Sequence, residues 1–276
     1  MSSARWFVPA VVALVCGLAL TSCSSGEPDA APTPTPSASV SSAPPAPTAP
    51  AVGSCHRLTL PQATAPVDAG AAVPCRGAHT SVTIRVGTLP TLADGHLLAA
   101  DSRAVRDALD AACPSRPTSY LGGDRTAQRL SRLRAVWFRP SLTQADAGAD
   151  WFRCDVVGLS SPGRLLPLPA SLKGALSRPD ALDRYGTCAT ADPSARRSRR
   201  VVCSAPHAWR AVETVDLPAA AGYLDRGVAA RGDAACKAVA SRRAAGALRF
   251  SWSFEWPTRP RWRAGQRWGT CWVPEA

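Results

Sequence analysis

Cysteines and histidines recur in the same order in two parts of this chain, and their spacing allows three kinds of chemistry. Cys75 is followed four residues later by His79, and Cys203 is followed four residues later by His207. Such cysteines could be bridged as disulfides, or they could join the histidine as ligands of a metal ion. A free thiolate beside a histidine base would instead be a nucleophile. The choice depends on the compartment and on the other cysteines.

The remaining cysteines extend this pattern into a long repeat. The word Asp-Ala-Ala-Cys occurs twice, ending at Cys113 and at Cys236. The last cysteine of each part, Cys154 or Cys271, follows a tryptophan by three residues, a glycine by six and a proline by fourteen. Similarity at this period predicts two tandem copies of one small domain. The predicted bounds are 53–160 for the first copy, 161–183 for a linker and 184–276 for the second copy.

The first fifty residues indicate export and a lipid anchor. Residues 6–20 are almost wholly apolar, follow Arg5 and are too short to span a bilayer comfortably. The segment ends in Leu-Thr-Ser-Cys at 20–23, which resembles a bacterial lipobox, so residues 1–22 are predicted to be a lipoprotein signal peptide and Cys23 the lipidated residue. The alternative is an ordinary secretory signal. Residues 23–52 are rich in Pro, Ala, Ser and Thr and predict a disordered tether.

Export favours disulfides, because thiols oxidise outside the cytoplasmic membrane. Four cysteines allow three pairings in each copy. One pairing is preferred because the first two cysteines lie on neighbouring extended segments, whereas the third ends a helix that can pack against the last strand. The preferred bridges are Cys55–Cys75, Cys113–Cys154, Cys188–Cys203 and Cys236–Cys271.

The metal and enzyme interpretations have less support. Short Cys-x-x-Cys or His-x-x-x-His spacings are absent from the sequence, so neither a metal nor another cofactor is expected. We expect His79 and His207 to be half-buried at a strand entry and hydrogen-bonded to backbone. The repeated acids Asp110 and Asp233 are expected to be solvated on a helix surface. No phosphate-binding glycine loop or nucleophile elbow occurs, and we therefore predict that the protein is not an enzyme.

Hydrophobic periodicity predicts an α+β fold in each copy, with a short antiparallel sheet and one helix across a face. The first helix begins near Asp101 or Ser102, and its apolar face is Leu98, Val105, Leu109 and Ala112. The apolar face of the second helix is predicted to be Leu224, Val228, Ala235 and Val239. The predicted strands are 80–86, 133–139 and 151–157 in the first copy and 208–215, 248–256 and 267–273 in the second.

These spaced residues resemble a known family. Val-x-Cys-x-x-x-His at 73–79 and 201–207, a helical cysteine, and a proline before Trp-x-x-Cys are similar to the septum-formation domain of high-GC Gram-positive bacteria. The excess of arginine over lysine, thirty to two, agrees with such a host. The resemblance implies an envelope protein held by a membrane anchor or a lipid, with a division role and no assigned catalytic residues. This chain departs from that pattern because it lacks an internal transmembrane helix.

Positive charge is uneven along the chain, whose formal net charge is +12. Residues 185–276 hold 15 basic and 7 acidic residues, against 12 and 9 in residues 53–157. Arginine beside tryptophan suits an anionic, ring-bearing ligand, although tryptophans at alternating strand positions are more often core. The second copy is therefore the expected site of polyanion binding. The candidate ligand-binding residues are Arg259, Arg261, Trp262, Arg263 and Arg267.

The sequence thus predicts a non-enzymatic lipoprotein at the outer face of the cytoplasmic membrane, with a binding or scaffolding role and a place in division. The alternative is an anionic wall-polymer or glycan-binding module unrelated to division. The expected partners are the membrane, through the lipid, together with wall polymer or envelope proteins. Nucleic acid fits the charge, but the compartment argues against it.

Overall fold

Two five-stranded antiparallel sheets, one from each half of the chain, form the framework. The computed structural model describes residues 46–68, 70–93, 95–246 and 248–275. The predicted signal peptide, Cys23 and most of the predicted tether lie outside the described residues. The described residues belong to a single compact unit, and they confirm a mixed fold of helices and antiparallel sheets.

The first sheet has the strand order β1-β2-β6-β5, and β7 pairs with the end of β6. The strands β3 and β4 form a separate small hairpin. The elements of this half are β1 (Cys55–His56), α1 (Leu60–Thr64), β2 (Ser81–Thr88), β3 (Leu92–Ala93), β4 (His96–Leu97), α2 (Arg103–Ala112), α3 (Thr118–Leu121), α4 (Arg125–Leu130), β5 (Leu133–Phe138), α5 (Leu142–Asp146), β6 (Trp151–Ser161) and β7 (Arg164–Leu165).

The second sheet has the strand order β11-β12-β10-β8-β9. A short 3-10 helix, Ala175–Ser177, precedes it. The elements of this half are α6 (Ala181–Tyr185), β8 (Thr187–Ala189), β9 (Arg200–Val202), β10 (Trp209–Asp216), α7 (Arg226–Arg243), β11 (Ser253–Glu255), α8 (Arg259–Arg263) and β12 (Trp268–Pro274).

The two sheets share order and register. The sequence β1-β2-β6-β5 in one sheet corresponds to β8-β10-β12-β11 in the other. One irregularity interrupts each central strand pair, and directly after it Arg85 lies opposite Cys154 and Glu213 lies opposite Cys271. Arg85 and Glu213 each follow the second cysteine of their half by ten residues, and Cys154 and Cys271 are the last cysteines of the two halves. The sequence repeat is therefore matched strand by strand.

Helix α2 begins where the sequence predicts. The hydroxyl of Ser102 caps it by accepting a hydrogen bond from the backbone N–H of Val105, and Val105 and Leu109 are buried. Leu98 precedes this helix but packs against the same core. The predicted apolar face of α2 is thus largely correct.

The predicted face of α7 is wrong in part. The buried residues recur every four positions and are Val228, Gly232, Cys236 and Ala240. Leu224 is exposed and lies before the helix, where it adopts a positive φ of 60°. The disulfide at Cys236 and the close approach of the Phe254 ring to Gly232 set which face turns inward. Apolar side chains alone did not reveal this, because glycine and cysteine carry the contact.

Residues 161–183, predicted to be a linker, contribute to the core of the first half. Leu168, Leu172 and Leu176 are buried and pack with Val82 and Val156 of the first sheet. The predicted strand at 248–256 is also much shorter than expected, since only Ser253–Glu255 is paired. No described helix is long and apolar enough to cross a membrane.

Candidate functional site

All eight cysteines among the described residues are bridged, so none of them is a free thiolate that could act as a nucleophile. The bridges pair the cysteines as the sequence analysis prefers: Cys55–Cys75, Cys113–Cys154, Cys188–Cys203 and Cys236–Cys271. In the first half the bridges tie β1 to the turn at Cys75 and the C-cap of α2 to β6, and in the second half they tie β8 to the turn at Cys203 and α7 to β12. The cysteines therefore act as a framework.

The repeated histidines are structural as well. The Nδ1 atom of His79 lies 2.9 Å from the carbonyl oxygen of Gly77, and Nδ1 of His207 lies 2.7 Å from that of Ala205. Their Nε2 atoms differ in partner. That of His79 reaches the carbonyl of Pro169 at 3.1 Å, whereas that of His207 lies 3.1 Å from the Glu275 carboxylate.

The repeated aspartates have a partner that the sequence analysis missed. The indole N–H of Trp137 donates to Asp110 at 2.7 Å, and that of Trp252 donates to Asp233 at 3.0 Å. Each aspartate thus ties its helix to the strand region that follows. Both acids are exposed on their helices, as expected, and the indole hydrogen bonds are what the sequence analysis did not predict.

One group of side chains has the types of a metal site. Ligand atoms of Cys188, His207 and Glu275 lie within 4.8 Å of one another. The Cys188 sulfur is bonded to Cys203, so it is not a thiolate, and the Glu275 carboxylate is paired with Arg210. These bonds leave the group poorly suited to hold a cation.

A second group has the order of a nucleophile, a base and an acid. The hydroxyl of Ser54 lies 3.3 Å from Nε2 of His56, whose Nδ1 lies 3.5 Å from the Asp68 carboxylate. Arg153 also pairs with that carboxylate and with Asp155. Burial and the Arg153 charge lower the pKa of His56. Because Arg153 occupies the acid that would stabilise an imidazolium, the group is better described as a buried ionic network.

Six arginines line a cleft between the two sheets, with a volume of about 700 Å³. Its walls come from the end of β6, from the segment between α2 and β5, and from β9, β11, α8 and β12. The size is within the range of roughly 300–1,000 Å³ that is typical of small-molecule sites. Among the described residues that line it, the arginines are Arg116, Arg129, Arg132, Arg134, Arg200 and Arg261, and the acid is Glu255.

Strand alternation explains why these side chains meet. Cys271 faces α7, to which it is bridged, and so Trp268, Thr270 and Trp272 of β12 face the cleft. In the same way Phe254 of β11 packs toward the core beneath α7, and its neighbour Glu255 faces the cleft. The cleft floor is therefore the face of the second sheet opposite its helix.

The first half supplies the opposite wall through α4 and the start of β5. Arg129 of α4 forms an ion pair of 2.6 Å with Asp216 of β10, and Thr126 donates to Glu213 at 3.0 Å. The hydroxyl of Thr187 donates to the carbonyl of Leu130. These contacts fix the two walls of the cleft against each other.

Two of the cleft arginines are already neutralised. Arg129 pairs with Asp216, and Arg200 pairs with Glu255 at 2.6 Å. The other four, Arg116, Arg132, Arg134 and Arg261, form no ion pair with an acidic side chain within the described ranges. Three of these four donate to backbone carbonyls: Arg116 to Gln128, Arg132 to Leu159, and Arg134 to Ser131 and Leu133.

Mutual repulsion marks this cluster as electrically unbalanced. Burial, followed by the charges of Arg116, Arg132 and Arg261, lowers the pKa of Arg134 to about 9. Burial, followed by Arg200 and Arg261, lowers the pKa of Arg132 to about 10. Both guanidiniums remain charged at neutral pH. A bound anion would relieve this repulsion, and several guanidinium forks suit phosphate or carboxylate oxygens.

The predicted ligand residues are mostly not at this cleft. Arg261 lines it, but Trp262 is only 9 % exposed and stacks on Trp256 within a core cluster. Trp262, a candidate ligand-binding residue in the sequence, therefore packs in the core and does not line the cleft. Arg267 covers the Trp262 ring at 4.0 Å, and Arg259 covers the Tyr223 ring at 4.8 Å.

Arg263 is exposed at the end of α8 and does not line the cleft. The sequence analysis missed Arg116, Arg129, Arg132 and Arg134, which come from the less basic half. A local signal existed in the spacing of Arg132 and Arg134 at the start of the predicted strand 133–139, since alternate residues of an extended segment lie on one face. Their proximity to Arg200 and Arg261 depends on tertiary packing and has no sequence signature.

Comparison with known proteins gives one match. The sequence model of the family described as septum formation matches residues 52–247, which is more than half of the chain. No match was found among curated proteins, and none among solved structures. The matched range contains both cysteine bridges of the first half, the Cys188–Cys203 bridge and most of the cleft. This chain belongs to the septum formation family, whose description suggests a role related to cell division.

Proposed function

We propose that the protein is a non-enzymatic lipoprotein of the cell envelope that acts by binding an anionic partner at the outer face of the cytoplasmic membrane. A lipid on Cys23 would hold it there, with residues 23–52 as the tether. Two septum-formation-like units, 53–160 and 184–276, would form the binding body. The shared strand order, register and bridges support two copies.

The observation that carries this proposal is the arginine cleft. Four guanidiniums that pair with no acidic side chain among the described residues converge between the halves and repel one another. Such a cluster costs stability, and a binding role would explain why it is present. An electropositive cleft concentrates anionic ligands. Outside the membrane, abundant anions are wall polymers, lipid headgroups and their precursors. The family description adds the link to division.

The second candidate is a wall-polymer or glycan-binding module with no tie to division. The cleft charge supports the anionic form of that candidate equally well. It gives less support to sugar stacking, because guanidiniums already cover the rings that face the cleft. Arg116 and Arg129 lie over Trp268 at 5.0 and 4.6 Å, and Arg200 lies over Trp272 at 4.5 Å.

Localisation in growing cells tests the first candidate. A fluorescent fusion of the full chain should concentrate at division sites, and Arg132→Gln with Arg134→Gln should spread it evenly around the cell. The matched control is Arg226→Gln with Arg231→Gln on the exposed side of α7, which removes the same charge outside the cleft. An even rim for the unaltered protein would favour the second candidate. Equal behaviour of both double variants would contradict a binding role for the cleft.

Anchoring is tested separately by Cys23→Ser. We expect this change to release the protein from the membrane fraction, and mass spectrometry of the unaltered protein should find an acylated Cys23 as the mature N-terminus. An unacylated N-terminus in the unaltered protein would contradict the lipoprotein part of the proposal and leave the cleft part standing.

A further inference from the structure

We propose that the cleft binds a compact anion carrying two adjacent phosphoryl groups, a free or lipid-linked diphosphate, which bridges the arginines of the two halves. This inference rests on the proposed anion-binding function and names its ligand class. Its basis is the juxtaposition of Arg116, Arg132 and Arg134 from the first half with Arg261 from the second, in a cleft of about 700 Å³.

Charge density selects this class. Four arginines face a single cleft and have no acidic partner in the part of the chain that the structure describes, so an isolated monoanion would leave most of that charge uncompensated. A diphosphate concentrates several negative charges and many acceptor oxygens in a small volume. A planar guanidinium fork binds such oxygens in pairs, whereas ammonium groups bind them as point charges. A polymer with widely spaced single charges would place fewer of them within reach.

The position of the charges predicts a bridge between the halves. The charge of Arg261, on α8, acts on Arg116, Arg132 and Arg134 and lowers the pKa of each. Arg261 therefore lies close enough to the arginines of the first half for their charges to repel across the cleft. An anion placed there would contact both halves and convert a repulsion between them into a shared attraction.

The surrounding rings hold the cleft in shape for such a ligand. The guanidiniums of Arg116 and Arg129 both lie over the Trp268 ring, and the same strand carries Thr270 at the cleft. Stacking fixes the plane of a guanidinium and leaves its N–H edge directed outward. Arg129 is further held by Asp216. The site is thus largely organised before a ligand arrives, which favours affinity.

Calorimetric titration tests the ligand class. The mature chain with Cys23→Ser is titrated with sodium pyrophosphate, phosphate, sulfate and citrate at matched ionic strength, because surface charges are screened over about 8 Å at physiological salt. Pyrophosphate should bind at least about tenfold more tightly than phosphate or sulfate, since it adds charge-assisted hydrogen bonds that are each worth roughly such a factor. Equal affinities, or tighter binding of citrate, would overturn the proposal.

Variants assign the binding to the cleft. Arg132→Gln with Arg134→Gln should weaken pyrophosphate binding about 10- to 100-fold, and Arg226→Gln with Arg231→Gln should leave it unchanged. Arg134→Lys keeps the charge but loses the fork, and it should lose part of the affinity. Because Arg132 and Arg134 also donate to backbone carbonyls, thermal unfolding without ligand is measured for both double variants, so that a loss of affinity is read only from folded protein. A loss of affinity that is equal in the cleft and control variants would overturn the site.

Vesicles distinguish the free ligand from the lipid-linked one. Phosphatidylcholine vesicles containing a prenyl diphosphate are compared with vesicles containing phosphatidylglycerol, again with the Cys23→Ser chain. Sedimentation with the first alone, reversed by free pyrophosphate, would identify a lipid-linked diphosphate. Pyrophosphate binding in solution without sedimentation would identify a free one. The protein is also sedimented with purified cell wall. If that sedimentation depends on Arg132 and Arg134 while pyrophosphate fails to bind, the diphosphate proposal falls and the broader binding function stands.

Discussion

The two halves use equivalent faces of their corresponding sheets in different ways. In the first half, the strand positions on either side of Cys154 are Arg153 and Asp155, both buried in an ionic network beneath α1. In the second half, the positions on either side of Cys271 are Thr270 and Trp272, which face the open cleft. One sheet face is thus closed as a polar core, whereas the other is left as a surface against which arginines assemble.

An insertion in the first half makes this difference possible. Helices α3 and α4 lie between α2 and β5, and the corresponding segment between α7 and β11 has no helix among its described residues. Helix α4 packs on β10 through ion pairs of Arg125 and Arg129 with Asp216. The two similar sheets therefore differ by one extra segment in the first half, and the charged cleft lies beside the contacts between α4 and β10.

The largest difference in stability between equivalent positions of the two halves is expected when Arg153 is removed. Arg153→Met would leave Asp68 and Asp155 buried without a cation, and we expect a loss of about 3–5 kcal/mol in the free energy of unfolding. Denaturant unfolding monitored by fluorescence measures it. The equivalent change in the second half, Thr270→Val, should alter stability by only about 0.5 kcal/mol or less. Similar losses at both positions would show that the two faces are not differently used.

The disulfides provide a second comparison, in which the two halves should behave alike. Removing Cys113 and Cys154 together as alanines should cost about 2–5 kcal/mol, and so should removing Cys236 and Cys271. The bridges span similar sequence separations, 41 and 35 residues. Equilibrium unfolding of the two double variants should therefore give losses of comparable size. A large cost in one half alone would contradict equivalent frameworks.

Helix packing offers a third test within the second half. A Cβ at Gly232 would overlap the Phe254 ring, so Gly232→Ala should destabilise by about 1–3 kcal/mol despite a better helix propensity. Gly227 lies exposed in the same helix, and Gly227→Ala should be neutral or stabilising by up to about 1 kcal/mol. Thermal unfolding would show shifts of opposite sign. Equal shifts would mean that Phe254 does not hold α7 to the sheet.

The smallest expected effect concerns acid. Arg210 and His207 lower the pKa of Glu275 below its ordinary value against the opposing effect of burial, which is the largest single cause. A carboxylate with a depressed folded pKa adds stability above its unfolded pKa and loses it as pH falls through the folded pKa. Glu275→Gln should therefore reduce the pH dependence of unfolding at and below about pH 4.5. The equivalent histidine, His79, bonds a backbone carbonyl, so the first half should lack this contribution.

The sequence predicted the framework better than the site, and the reasons are physical. Cysteine spacing and the alternation of 80–86 fix local strands, while the helix-to-strand bridges follow from which elements lie adjacent. The face of α7 was misjudged because Gly232 and Cys236 make its contacts. The cleft was missed because it joins Arg134 and Arg261, which are brought together only when the sheets pack.

The arginine- and tryptophan-rich segment at 259–267 shows a second limit of prediction from sequence. Its composition indicated a ligand surface, yet Trp262 is buried and Arg267 packs flat on its ring. Aromatic and guanidinium groups attract each other in a core as readily as they bind a ligand. Composition alone therefore does not tell which partner each has, and the less basic half supplies most of the candidate site.

The most direct test is to locate a bound anion. Crystals of the chain soaked in tungstate, a heavy oxyanion, would give an anomalous signal at each occupied site. A site built by both halves predicts its strongest peak within hydrogen-bond distance of the Arg132, Arg134 and Arg261 guanidiniums. A strongest peak over Arg259 and Arg263, with none in the cleft, would instead place anion binding in the second half alone and contradict the assignment.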